Sequence, residues 1–69
     1  MSDSVYRFIE MVGTSTTSWE DAARNAVETA TKTLRDTRVA TVKDLGMKIE
    51  DGKVVLYRVT VRLSFKYQP

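Results

Sequence analysis

From Val55 onward the chain alternates without a break. Val55, Tyr57, Val59, Val61, Leu63, Phe65 and Tyr67 are apolar or aromatic, and between them stand Leu56, Arg58, Thr60, Arg62, Ser64 and Lys66. Successive side chains of a strand point to opposite faces, so this period of two predicts one β-strand from Val54 to Tyr67. At ~3.3 Å per residue it runs about 45 Å, against about 17–20 Å for an ordinary strand. A chain of 69 residues must find cover for all of it.

The rest of the chain supplies little cover. Val5 to Val12, VYRFIEMV, is rich in β-branched and aromatic residues and stops at Gly13, which predicts a first strand. Thr17 with Glu20, or Ser18 with Asp21, has the spacing of a capping box at a helix start. Trp19, Ala22, Ala23, Ala26, Val27, Ala30 and Leu34 then follow at helical spacing, predicting a helix over about residues 18–36. Arg38 to Glu50 reads as a second strand, with Gly46 marking a bulge or bend. Asp51-Gly52 is the strongest short signal for a hairpin turn.

The expected fold is therefore α+β: a single domain over residues 1–69, β-α-β-β, with an antiparallel three-stranded sheet curled around one helix. A helix of ~18 residues spans about 27 Å, too short to shield the final hairpin. The pattern thus predicts a homo-oligomer in which strand ends and the face away from the helix meet neighbouring subunits.

Composition narrows the function by exclusion. The chain has no Cys and no His. Disulfides, Cys/His zinc sites and His-dependent nucleophilic catalysis are ruled out. Eleven Lys/Arg and nine Asp/Glu alternate in sign instead of forming a block, which argues against a nucleic-acid partner. No apolar run approaches the ~18 residues of a membrane span, and the amino terminus lacks the pattern of a secretory signal. The expectation is a soluble cytoplasmic protein that is not an enzyme.

The order of first strand, VGTS at Val12 to Ser15, SWEDAARNAVETATKTLRD, second strand, Asp-Gly hairpin and final SFKY resembles the dodecin family over essentially the whole chain. The resemblance implies a hollow homo-dodecamer of β-α-β-β subunits that binds flavins such as riboflavin or FMN at two-fold contacts. In that family a tryptophan at the start of the second strand clamps the isoalloxazine ring, and a glutamine in the last strand meets the ring edge. The clamp falls on Val39, which has no π-face, and the glutamine falls on Arg58, which offers donors only. Asp44 keeps the acidic position after the clamp, and Thr17 completes the flavin-site positions that the resemblance implies. The chain is most similar to the calcium-dodecin-like branch, without the stacking tryptophan.

Candidate sites follow from these residues. Calcium takes six to eight oxygen ligands in flexible geometry. Asp44, Glu50 and Asp51 are the candidate metal ligands, with Asp36 and Glu10 as further carboxylates, gathered from two or three subunits because no EF-hand loop is present. Arg58, Arg62 and Lys66, extended by Arg38 and Lys43, form a basic row that reads either as an anion site for a phosphate, or as partners of Glu10, Asp44 or Glu50 in salt bridges between subunits, or as a solvated sheet face. Trp19, on the alanine stripe, reads as packing and not as a ligand platform. Three functions stay open: a calcium- or small-ligand-binding oligomer without turnover, a flavin store using another aromatic, and an assembly module without ligand. If the resemblance maps the clamp correctly, the double variant Val39→Trp, Arg58→Gln should quench riboflavin fluorescence; a double variant that leaves it unchanged would refute the mapping.

Overall fold

A computed structural model describes residues 5–66 and places them as β1 (Tyr6–Ser15), α1 (Trp19–Thr31), β2 (Thr37–Glu50) and β3 (Lys53–Lys66). Tyr67, the expected end of the last strand, lies outside the described residues. The sheet is antiparallel with strand order β1-β3-β2, so the longest alternating segment is central and β1 and β2 are both edges. This is the expected β-α-β-β architecture.

The odd-numbered face of β3 forms the core. Val59, Val61 and Leu63 are at most 1% exposed and pack against Ala22, Ala26 and Ala30 of the helix. Ile9, Met11, Val27 and Leu34 close the sides. The small stripe lets the helix approach β1 at Gly13. A Cβ at that position would run into the Ala22 carbonyl oxygen and come within 2.8 Å of the Ala26 Cβ. Asn25 fastens the same contact, its Nδ2 donating to the Thr14 carbonyl at 3.0 Å.

The helix starts where expected and ends early. Ser18 caps it, accepting the Asp21 backbone N–H at 3.0 Å. The Asp21 carboxylate does not close the expected box but accepts the Ser15 hydroxyl at 2.8 Å. Ser15 in turn accepts the Thr17 N–H at 2.9 Å, tying the end of β1 to the helix entrance. At the other end, Thr31 and Thr33 donate their hydroxyls to the Glu28 and Ala30 carbonyls, both at 3.3 Å. Such side-chain bonds compete with the backbone ladder, and the helix stops at Thr31 instead of continuing to residue 36. Leu34 still packs on the core, which is why its spacing extended the helical pattern. Asp36, in the left-handed region at φ 58, turns the chain into β2.

Asp51 and Gly52, at φ 52 and 74, make the expected hairpin turn with Glu50 opposite Lys53. Both central residues at positive φ is the type I′ arrangement. The irregularities of β2 fall elsewhere than expected. Gly46 pairs in regular register with Arg58, whereas Arg38 and Lys43 are the extra residues of two bulges in β2 and Val55 is the extra residue of one in β3.

The helix spans only about 20 Å beneath a β2–β3 hairpin more than twice as long, and it lies over β1 and β3. The subunit measures 56 × 20 × 15 Å with a radius of gyration of 14.5 Å, against about 11 Å for a compact domain of this length. It exposes 5332 Å², where a compact monomer of its mass exposes about 4,400 Å². Much of the excess is apolar: Val5, Phe8, Val39, Leu45 and Ile49 are each more than half exposed. On the helix side of β2, Val42, Leu45 and Met47 are left without cover. The Gly13 contact gives a direct test of how the helix is seated. Gly13→Ala should lower stability by ~1–3 kcal/mol through overpacking, read as a reduced denaturant midpoint; an unchanged midpoint would mean the helix is not held at that distance.

Candidate functional site

The face of the sheet away from the helix carries the charged residues. Paired residues of antiparallel strands project to the same side, so the register places Val39, Thr41, Asp44 and Gly46 of β2 beside Ser64, Arg62, Thr60 and Arg58 of β3. The bulge at Lys43 decides this arrangement. Simple alternation from Val39 would put residues 41, 43 and 45 on its face; the extra residue shifts Asp44 onto it and Leu45 off it.

Asp44 and Arg58 consequently line one cleft of about 200 Å³, together with Val12, Leu45, Gly46, Met47 and Thr60. Asp44 accepts and Arg58 donates. The two side chains form no ion pair with one another or with any other described residue. The cleft is therefore a pocket with one anionic and one cationic wall, both with unused hydrogen-bonding capacity. Val39 stands on the same face beside Ser64, closer to the start of β2, and does not line the cleft. Thr17 is exposed at the helix entrance and lies outside it as well.

The carboxylates are not gathered within one subunit. Glu50 and Asp51 sit at the hairpin tip, six or seven strand positions and about 20 Å from Asp44. Glu50 pairs with Lys48 at 3.2 Å on the exposed surface. Among the described residues no three acidic side chains come together as a metal site. One subunit thus offers a single cleft carboxylate and the Thr60 hydroxyl, short of the six to eight oxygens that calcium takes.

The basic row is not a uniform anion site. Arg62 lies opposite Glu10 and donates to its Oε2 from Nε at 3.1 Å and from an η nitrogen at 2.8 Å. Its guanidinium also stacks over the Phe8 ring, 4.4 Å from the centroid. The salt bridge of Arg62 with Glu10 is thus made within the subunit and not between subunits as expected, because the β1–β3 register sets the two opposite one another, and Arg58 is the arginine of the row that faces the cleft. Arg38 and Lys43, expected to extend the row, are the unpaired residues of the two β2 bulges.

Trp19 is half-buried between helix start and sheet. Its Nε1 donates to the Gly46 carbonyl at 3.0 Å, and its ring meets Tyr57 edge to face at 5.2 Å between centroids. This agrees with packing. Beside it an apolar groove of about 370 Å³ opens between the helix and β2, lined by Trp19, Glu20, Ala23, Val42, Leu45 and Val59. Sequence reasoning missed Val12, Gly46 and Thr60 as cleft residues; the alternation of β3 could have found Thr60 beside Arg58, while Gly46 needed the β2 register.

Comparison with known proteins places this geometry. The family model described as Dodecin matches residues 5–68. A calcium dodecin of Mycobacterium tuberculosis is 42% identical over 66 residues, which cover 96% of this chain and 93% of that protein. The structure of dodecin from Streptomyces coelicolor superposes with a TM-score of 0.90 at 39% identity, covering 100% of this chain and 99% of that one. The crystal structure of the calcium-chelating immunodominant antigen calcium dodecin from M. tuberculosis, with a novel calcium-binding site, superposes with a TM-score of 0.82 at 45% identity, covering 96% and 94%. With its order of elements, its sheet and its length all matched, this chain belongs to the dodecin family.

Proposed function

We propose that this protein is a homo-oligomer, a hollow dodecamer, that binds calcium or another small ligand at the contacts between its subunits and holds it without turnover. One observation carries the reading: Asp44 and Arg58 line a cleft on the uncovered side of the sheet, and neither has an ion-pair partner among the described residues. Ionic groups on a face that another chain covers must find compensation there, because burying an unpaired charge is strongly unfavourable.

The surface of the subunit supports assembly. Its exposed area exceeds that of a compact monomer by roughly 900 Å², comparable to the ~800 Å² each partner buries in a standard interface. The exposed rows on both sides of β2 extend the contact surface beyond the strand ends and non-helix face expected from sequence.

The M. tuberculosis relative bears the name calcium dodecin, and its structure is described as having a calcium-binding site. In this chain Asp44 is the best-placed contributor, with Glu50 and Asp51 able to reach the same ion only from another copy. The flavin clamp does not fit these residues. Val39 offers no aromatic face, and the indole N–H of Trp19 is already bonded to Gly46. No helix among the described residues is long and apolar enough to cross a membrane.

Native mass spectrometry of the purified protein should report twelve copies. Calcium at about a hundred times its dissociation constant should stabilise the assembly by ~2.7 kcal/mol, since a ligand that binds only the folded state must raise stability. Asp44→Asn should abolish the calcium-dependent rise in melting temperature while the subunit count stays the same. A folded monomer in dilute solution would defeat the assembly reading. A melting temperature indifferent to calcium in the wild type would defeat the calcium reading.

A further inference from the structure

Two rows of side-chain positions cross the uncovered face of the sheet at the cleft. Val12, Thr60 and Asp44 stand side by side on β1, β3 and β2, and Thr14, Arg58 and Gly46 form the next row on the same face. Asp44 and Arg58 are therefore diagonal neighbours, about 7–8 Å apart, within reach of long side chains. Neither forms an ion pair among the described residues. The Thr60 hydroxyl, beside Asp44 and one row from Arg58, forms no hydrogen bond with another described residue either.

Asp44 only accepts and Arg58 only donates. A bare cation in the cleft is drawn to the carboxylate and repelled by the guanidinium, and a bare anion meets the reverse, so a lone ion of either sign loses at one wall what it gains at the other. A ligand carrying both signs gains at both. The guanidinium fork matches a carboxylate with two parallel hydrogen bonds, and an ammonium group has three donors for the Asp44 oxygens and the Thr60 hydroxyl.

The other lining residues set the rest of the molecule. Val12, Leu45 and Met47 are apolar, and no aromatic ring is among the described residues of the cleft, so a flat ring finds no face to stack on. At Gly46 the wall is bare backbone, where a Cβ would meet nothing nearer than the Arg58 carbonyl oxygen at 4.0 Å. The cleft of about 200 Å³ falls below the ~300–1,000 Å³ of sites for drug-sized ligands. Its size and walls suit a small aliphatic molecule.

We propose that the Asp44–Arg58 cleft binds small aliphatic zwitterions of the free α-amino acid class. Arg58 takes the carboxylate, Asp44 and Thr60 take the ammonium, and the side chain lies against Val12 and Met47. This inference rests on the reading of the protein as a small-ligand binder, and for this cleft it selects an organic zwitterion over calcium.

The test is a calorimetric titration of the purified assembly with L-leucine, glycine, isocaproate, leucinamide, calcium chloride and riboflavin at neutral pH. Isocaproate is leucine without the ammonium, and leucinamide is leucine without the carboxylate. Leucine should bind, with glycine weaker for want of apolar contact. Isocaproate and leucinamide should each bind about tenfold or more weakly than leucine, equivalent to at least ~1.4 kcal/mol. Asp44→Asn should weaken leucine by a similar factor while isocaproate binds as well as before or better, because the repelling carboxylate is gone. Arg58→Gln should weaken leucine likewise while leucinamide keeps or gains affinity. A merely structural change would not give this crossed pattern.

Isocaproate or leucinamide binding as tightly as leucine would overturn the two-charge site. Glycine binding more tightly than leucine would overturn the aliphatic part of the class. Should a variant fail to fold, the comparison of leucine with its two relatives on the wild type decides alone. Calcium or riboflavin taken up where neither amino acid is would overturn this inference and leave the ligand-binding reading standing. An assembly that takes up none of the six would overturn both; if it also loses copies in the Asp44 and Arg58 variants, the two groups are partners across a subunit contact instead.

Discussion

The contact between Gly13 and the alanine stripe is the constraint on which the rest of the subunit depends. Only a residue without a Cβ lets the helix settle against β1, with Ala22 and Ala26 taking the space that a larger residue would fill. Seated there, the helix buries Val59, Val61 and Leu63 of the central strand almost completely. The same seating carries it away from β2. Thirteen helical residues cannot cover both halves of a sheet whose long strands each have fourteen, so tight packing on one side leaves the other side open.

That division of the sheet organises the site. β3, paired on both sides, is the rigid centre and contributes Arg58 and Thr60; β2, an edge, contributes Asp44 and Gly46. A bulge inserts one unpaired residue and reverses the facing of whatever follows. The one at Lys43 brings a carboxylate next to an arginine on a face that would otherwise present Lys43 and Leu45. The Trp19 bond to Gly46 links this edge to the helix start, and the Ser15, Ser18 and Asp21 network secures the helix start to β1. Core, cap and cleft wall are thereby connected through short polar contacts, and the apolar rows of β2 stay exposed on the subunit.

Much of this was legible in the residues themselves. The alternation of β3, the Asp-Gly turn and the alanine stripe each have a period or a turn chemistry that one local conformation satisfies. Arg58 and Asp44 were singled out through the family resemblance, and both line the cleft. The helix end was misjudged because Leu34 keeps helical spacing while packing from outside the helix, and because the competition from the Thr31 and Thr33 hydroxyls has no periodic signal. Gly46 was read as a bend since glycine in a strand usually marks one. Its regular register, and the cleft beside it, become apparent only when the partner strand is in place.

Local rules, acting between near neighbours in the chain, determined the kind and order of the elements, the face of the last strand that is buried, and a final strand too long for one helix to cover. Tertiary structure decided the rest: the extent of the helix, the site of each bulge, the pairing of Arg62 with Glu10, and the placing of Asp44 and Arg58 in the lining of one cleft. The physical reason is reach. Periodicity and turn preference are properties of a few consecutive residues, whereas register is set by the balance of hydrogen bonds and packing along the whole length of two strands, and a shift of one residue in that balance moves a side chain to the opposite face.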